Sequence, residues 1–313
     1  MPRCESLAMK KKAPIPAEAI TSNPETWKRC WLDAKKRSPV NRRERRSEAA
    51  EIERWNIRAS SYAQHSESEE SRDRREWITT WLEGEGALQA DYRVLDIGAG
   101  PGNYAAVLSR KVAEVTALEP AASMTSILKH RITKEGIGNI RITRKTWEAV
   151  SLEAEGWHEA FDLVFASMCP GVGNPDMLVK MLAASRNFCY LSGWSGPRWG
   201  KWGLSQSELW PLIFAEQLED YPSDILYPFG LLYAQGYRPH LRFLQPRVHL
   251  EMDMEEAMQG LAEYFSRYTE ITPAIHETIR TYVHSYSQRG RFTQLYTTCQ
   301  GFMLWQVASR ASC

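Results

Sequence analysis

The apolar run Tyr92–Ile97 leads into "DIGAGPGN". Three glycines then fall at alternate positions, Gly98, Gly100 and Gly102, just before a helical pattern at Tyr104–Lys111. A strand that ends in a glycine turn and re-enters as a helix aims main-chain N–H groups past the strand's end. Glycine accepts positive φ there and lets a ligand come against the bare backbone. Further apolar runs follow at Val112–Glu119, Asn139–Arg144, Phe161–Ala166 and Phe188–Gly193, separated by helical patterns at Ala122–Lys134 and Asp176–Arg186. Such alternation predicts an α/β fold, a doubly wound, mostly parallel sheet with helices on both faces.

Two ligand classes compete for this turn. A dinucleotide turn reads G-x-G-x-x-G. Here the third glycine arrives one place early, and Asn103 stands in its slot. Asp96 would also sit badly beside a pyrophosphate held at the helix start. The order Asp-x-Gly-x-Gly-x-Gly instead resembles motif I of class I S-adenosylmethionine-dependent methyltransferases, of the type 11/12-like domain.

That resemblance implies a seven-stranded Rossmann-like sheet and S-adenosyl-L-methionine as cofactor. It places Gly98, Ala99, Gly100 and Gly102 beneath the cofactor and Asp96 at its methionyl end. Glu119 in "VTALEP" stands 21 residues after Gly98, where the family holds the ribose hydroxyls. Near the third strand's end, "KTWEAV" offers Thr146, Trp147 and Glu148 to the adenine. Thr146 stands where the family often has an acid, and Trp147 is read either as an adenine-stacking ring or as core. "FDLVFASMCPGV" resembles the fourth strand, with Ser167 and Met168 leaving its end beside the cofactor. Upstream, "RWNIRASSYAQ" resembles the helix that covers cofactor and substrate, with Trp55 and Tyr62 seven apart on one face; an ordinary core stripe is the alternative. The resemblance runs from Arg54 to about Gly193.

Three regions are expected: a basic, partly disordered or helical N-terminal extension over residues 1–46, a cofactor-binding core with its covering helices over 47–200, and a helical, aromatic cap with the last strands of the same sheet over 201–313. Residues 1–20 read as loose around Lys10–Lys12, Pro14 and Pro16. Helices are expected at Pro24–Arg37, Ser47–Gln64 and Ser71–Leu82. After Gly193, Trp194, Trp199, Trp202 and Trp210 crowd a Gly/Pro-punctuated insertion, read as a cap over an apolar or planar acceptor. A strand at His240–Glu251, helices at Asp253–Arg267 and Pro273–Gln288, and a last strand at Gly301–Ala308 complete the pattern.

Methyl transfer from a sulfonium needs alignment more than a dedicated catalyst, so no catalytic residue is assigned. The substrate-lining candidates are Trp55, Tyr62, Cys169 and Trp194. Cys169 and Cys299 are tested as nucleophiles and read as plain thiols; His240 and His249 are weighed as a base against strand-face histidines. The six cysteines show neither C-x-x-C spacing nor a Cys/His cluster, which argues against a metal site and for a reducing, cytoplasmic setting. No stretch has the length and apolarity of a membrane span. Residues 1–46 hold thirteen Lys/Arg and five Asp/Glu, +8 against a whole-chain +1. The run "KKRSPVNRRERR" could meet nucleic acid, but a solvated helical face or a disordered arm is the commoner explanation and is favoured. The expected function is in-line methyl transfer to a small-molecule acceptor. RNA or protein methylation, or a non-catalytic cofactor-binding partner subunit, stands as the alternative. The sequence leaves the oligomeric state open.

Overall fold

The computed structural model describes residues 23–44, 47–196, 200–218 and 221–307. Helix α1 (Pro24–Arg37) begins at Asn23, whose side chain accepts the Glu25 N–H, with Pro24 in its first turn. Then come α2 (Pro39–Arg43), α3 (Glu48–His65) and α4 (Glu69–Gly84); Ser47 caps α3 and Ser68 caps α4. The alternating region runs β1 (Arg93–Ile97), α5 (Ala105–Leu108), β2 (Glu114–Leu118), α6 (Ala122–Glu135), β3 (Ile140–Thr143), α7 (Leu152–Glu155), β4 (Phe161–Ser167), α8 (Pro175–Ala184) and β5 (Ser185–Trp194). The remainder holds α9 (Gly203–Phe214), α10 (Leu226–Ala234), β6 (His240–Leu244), β7 (Arg247–Asp253), α11 (Met254–Phe265), α12 (Pro273–Ser285), β8 (Ser287–Gln288), β9 (Arg291–Thr297) and β10 (Gln300–Gln306).

Seven strands form the main sheet in the order β3-β2-β1-β4-β5-β10-β6. β1 to β5 pair in parallel, and β10 runs antiparallel to both neighbours. Both faces are buried, as a sheet sandwiched between helices must be. One face stacks Leu95, Ile97, Val164, Ala166, Leu191 and Met303 against α8, α10 and α1. The other stacks Val94, Leu163, Phe165, Tyr190, Phe302 and Leu304 against α4, α5 and α6. The chain order reverses between β1 and β4, and ligands bind such sheets at the carboxyl ends beside that reversal.

The late region departs from the sequence reading. The run His240–Glu251 is two strands, broken around Gln245 and Pro246. β6 joins the main sheet, while β7 pairs with β9 in a separate three-stranded sheet, order β7-β9-β8. Only β6 and β10 of the late strands therefore extend the main sheet. The small sheet packs with α9, α11 and α12 around Trp210, Phe265, Ile279 and Phe292. The late insertion is a cap with its own apolar core and its own sheet.

The N-terminal segment is bound more closely than a basic extension implies. Trp31 is 2% exposed, and its indole N–H donates to the Pro222 carbonyl at 2.9 Å. Trp27 lies hard against Gly230 of α10, where any Cβ would meet its ring 2.4 Å away. From α2, Arg42 and Arg43 both bond Glu216, and Glu44 holds Arg267 at 2.6 Å. The described basic residues here thus tie core to cap. Lys10–Lys12, Arg45, Arg46 and Trp199 lie outside the described residues. Trp31→Ala is expected to cost about 3–5 kcal/mol in urea denaturation, the range for a truncated buried aromatic. A detached arm would shift stability by less than about 0.5 kcal/mol.

Candidate functional site

The turn after β1 has the geometry that its glycines require. Gly98, Gly100 and Gly102 take φ of 71°, 56° and 83°. A Cβ on Gly98 would fall 2.3 Å from the Cys169 Sγ, and one on Gly102 would fall 2.2 Å from a Leu128 methyl. Gly100 has room, and the ring of Tyr62 lies 4.0 Å from where its Cβ would be. Gly98 and Gly102 are thus required by backbone angle and by packing alike, while Gly100 leaves the main chain open on the side that Tyr62 covers. The helix behind is one turn, Ala105–Leu108, shorter than the predicted Tyr104–Lys111.

Two buried carboxylates flank this turn. Asp96, on β1, is 3% exposed, and Glu119, just past β2, is 8% exposed. One Asp96 oxygen takes the Ala105 N–H; the other, Oδ2, has no partner. Burial, then the Glu119 charge, push the Asp96 carboxyl up to about 7. Glu119 accepts Gly100 N–H at 2.9 Å and Ala121 N–H at 2.8 Å. Burial raises its pKa too, against those two hydrogen bonds. Among the described residues, neither acid has a basic side chain in ion-pair reach. Two uncompensated acids beside an open backbone fit a cationic ligand and repel a phosphate.

Helix α3 lies over this site. It packs on α6 through Ala59, Met124 and Ala121, with Trp55 joining that cluster. Trp55 meets Tyr62 edge-on at 5.5 Å, and Arg54 sits 4.6 Å over Trp55. Trp55 belongs to the packing of the covering helix, while Tyr62, 42% exposed, reaches the glycine turn. Arg58 on the same helix feels the charges of Glu263 and Arg267 in the cap.

At the end of β4, Ser167 bonds Ser192 hydroxyl to hydroxyl at 3.1 Å. Met168 takes a φ of 52°, rare for a side chain of its kind, and is held there by its N–H on the Ser192 carbonyl and hydroxyl, both at 3.1 Å. Backbone strain of this sort costs about 1–3 kcal/mol and is concentrated at functional loops. Cys169 packs against Gly98, and its sulfur accepts the Gly171 N–H at 3.2 Å. Burial pushes its thiol up to about 12, which leaves it protonated and unfit as a nucleophile.

The remaining candidates separate. Trp147 is 3% exposed in the core, with its indole N–H on the Met177 carbonyl and Lys180 above its ring at 4.9 Å. Its ring is committed to packing. Thr146 is half-buried beside it and accepts the Ala149 N–H at 3.3 Å, while Glu148 is exposed. Trp194 ends β5 opposite Gln300. Cys299 lies between β9 and β10, its carbonyl accepting the Ser195 N–H. His240 faces Glu85 at 3.2 Å at the amino edge of the sheet, and His249 is exposed on the small sheet, so neither serves the site. Clefts of about 370 and 360 Å³ also lie on that far side, lined by residues such as Tyr92, Phe188 and Trp77. Among the described residues no His/Cys/Asp/Glu cluster could hold a metal, and no helix is long and apolar enough to cross a membrane.

Sequence reasoning missed Tyr104, which lies 4.9 Å from Phe165, its hydroxyl beside Ser167 and Arg74. It missed Tyr190, stacked on Phe165 at 4.4 Å, and Ser192. Alternation along β4 and β5 was the available signal: residues 165, 167, 190 and 192 share the face that carries Asp96.

Residues 94–189 match a methyltransferase domain family. An uncharacterized protein of Haemophilus influenzae is 27% identical over 161 residues, which cover 50% of this chain and 55% of that protein. The chain thus matches about half the length of that curated relative. A magnesium protoporphyrin IX methyltransferase from Synechocystis, with bound S-adenosylhomocysteine, superposes with a TM-score of 0.45 at 11% identity, covering 90% of this chain and 96% of its own. A Haemonchus contortus phosphoethanolamine N-methyltransferase superposes with a TM-score of 0.42 at 13% identity, covering 75% of this chain and 52% of its own. Similarity at this level says nothing about the acceptor.

Because its folded pKa of about 7 lies above the unfolded 3.8, Asp96 leaves stability intact below pH 3.8 and withdraws it as pH rises to 7. The loss is about 4 kcal/mol by linkage. Asp96→Asn is expected to flatten that slope, so that the variant overtakes wild type in urea stability between pH 5 and 8. Parallel pH curves for the two proteins would contradict this.

Proposed function

We propose that this chain, whose residues 94–189 match a methyltransferase domain family, is an S-adenosylmethionine-dependent methyltransferase of class I and passes the cofactor's methyl group to a small-molecule acceptor. The observation that carries the cofactor reading is the pair of buried acids, Asp96 and Glu119, without a basic partner beside a turn of positive-φ glycines. When bound, S-adenosylmethionine supplies a methyl group already activated on a cationic sulfur.

The chain's own residues then have four tasks. Gly98 and Gly102 fix the backbone angle of the turn, and Gly100, beside Ala99, leaves main chain open to the ligand. The free Oδ2 of Asp96 offers an acceptor to the methionyl ammonium, and its negative charge sits where positive charge is brought in. Glu119 already holds the turn through the Gly100 and Ala121 N–H groups, and its oxygens keep lone pairs for ribose hydroxyls. Ser167 and strained Met168 shape the end of β4, where methyl donor and acceptor must align. Alignment and exclusion of water supply several kcal/mol without a covalent step. The protonated thiol of Cys169 agrees with direct transfer.

Helix α3 brings Tyr62 over the glycine turn, which supports a small acceptor over a polymer. The described part of the basic segment supports the same reading, since Arg42 and Arg43 are taken up by Glu216.

Incubation of wild type with methyl-labelled cofactor and fractionated cell extract is expected to put label in the low-molecular-weight fraction. Asp96→Ala and Glu119→Ala should each reduce that transfer at least tenfold. Label in RNA or protein alone would overturn the acceptor class. No label in any fraction, with cofactor bound, would favour a non-catalytic partner role.

A further inference from the structure

Past the cofactor turn, the face of the sheet that bears Asp96 holds a second set of polar side chains, one of them with an unmet hydrogen bond. Register sets Ser167 beside Ser192 on β4 and β5, and Gln300 opposite Trp194 on β10 and β5. Alternation puts these four residues on one face with Phe165, Tyr190 and Phe302, at the carboxyl edge. Gln300 is 6% exposed and its Oε1 has no partner. The fully buried Tyr190 hydroxyl lies beside the Ser167 and Ser192 hydroxyls, which also bond each other, and Ser192 takes the Met168 N–H. A buried amide oxygen left unmatched calls for a partner.

A cation stands at the other side of this cluster. Arg74, on α4, lies beside the Tyr104 hydroxyl and acts electrostatically on Tyr62, Tyr104 and Tyr190. Its neighbour Arg75 faces Glu67 at 4.0 Å, and Arg131 bonds the same carboxylate, whereas Arg74 has no ion pair among the described residues. Tyr62 and Tyr104 stand near Arg74, and Trp194 stands opposite Gln300 at the end of β5, so the walls are aromatic.

We propose that this edge is the acceptor site and that it takes a small aromatic carboxylic acid bearing an O–H or N–H group. The ligand's donor meets Gln300 Oε1. Its carboxylate meets Arg74 and Tyr104, and its ring lies among the aromatic walls. Gln300 and Arg74 act as recognition residues. The proposal rests on the methyltransferase reading above.

The test is calorimetric titration of 2-, 3- and 4-hydroxybenzoate and of benzoate into protein saturated with S-adenosylhomocysteine. At least one hydroxybenzoate is expected to bind tenfold or more tightly than benzoate. Gln300→Leu, or the closer-shaped Gln300→Met, should abolish that difference and leave benzoate unchanged; Arg74→Met should weaken all four at least tenfold. Retained uptake of adenosylhomocysteine shows that a variant is folded. Equal binding of benzoate and every hydroxybenzoate, binding of no acid, or full discrimination in the Gln300 variants would overturn the proposal while the methyltransferase reading stands. Wild type that takes up no adenosylhomocysteine would remove the reading and the proposal together.

Discussion

Two buried acids, Asp96 and Glu119, act on each other with no counter-charge in ion-pair reach among the described residues, and the proposed chemistry depends on them. Asp96 and Glu119 end adjacent parallel strands, and each is buried. In an unliganded protein that arrangement is unfavourable, and Asp96 responds by holding its proton far above the usual carboxylate range. The two acids are anchored by main chain: Ala105 N–H for one, Gly100 and Ala121 N–H for the other. Main-chain donors orient a carboxylate without neutralising it. A ligand that brings positive charge to Asp96 completes the site, and one that brings phosphate adds to the repulsion.

The rest of the fold serves that edge. The parallel sheet brings the ends of β1, β2 and β4 together at the point where strand order reverses. Glycines at 98 and 102 let Cys169 and Leu128 pack where side chains would otherwise stand. Helix α3 carries Tyr62 over the turn, and its Arg58 feels the charges of Glu263 and Arg267 in the cap. Glu44 and Glu216 fasten α2 to the cap by ion pairs that are partly exposed, so their contribution is small and their role is placement.

Much of this was legible in the sequence because it is local. The strand before the glycine turn, the acid two residues ahead of it and the acid at the next strand's end depend on short-range pattern, and each lies where the pattern puts it. Other features depend on partners far along the chain. Trp147 reads alike as a stacking ring or as core, and only the Met177 carbonyl and Lys180 decide it. Strand β9 was missed because its pattern is atypical: Gln294 is buried on the inner side, bonded to Ser205 and Tyr282, while Leu295 is 67% exposed. Trp27 and Trp31 fall four apart on one face of α1, a local pattern, but their partners Gly230 and Pro222 lie far along the chain. Gln300 carries no local signal, since its significance comes from the strands on either side of it.

The central claim concerns charge, and proton release on binding tests it most directly. Calorimetry with S-adenosylhomocysteine at pH 7, in buffers of differing ionisation heat, reads protons as well as affinity. The account predicts uptake with net loss of a fraction of a proton, because a ligand ammonium draws the Asp96 proton off, and no release in Asp96→Asn. Proton uptake on binding, or heat with NADH and none with adenosylhomocysteine, would contradict it.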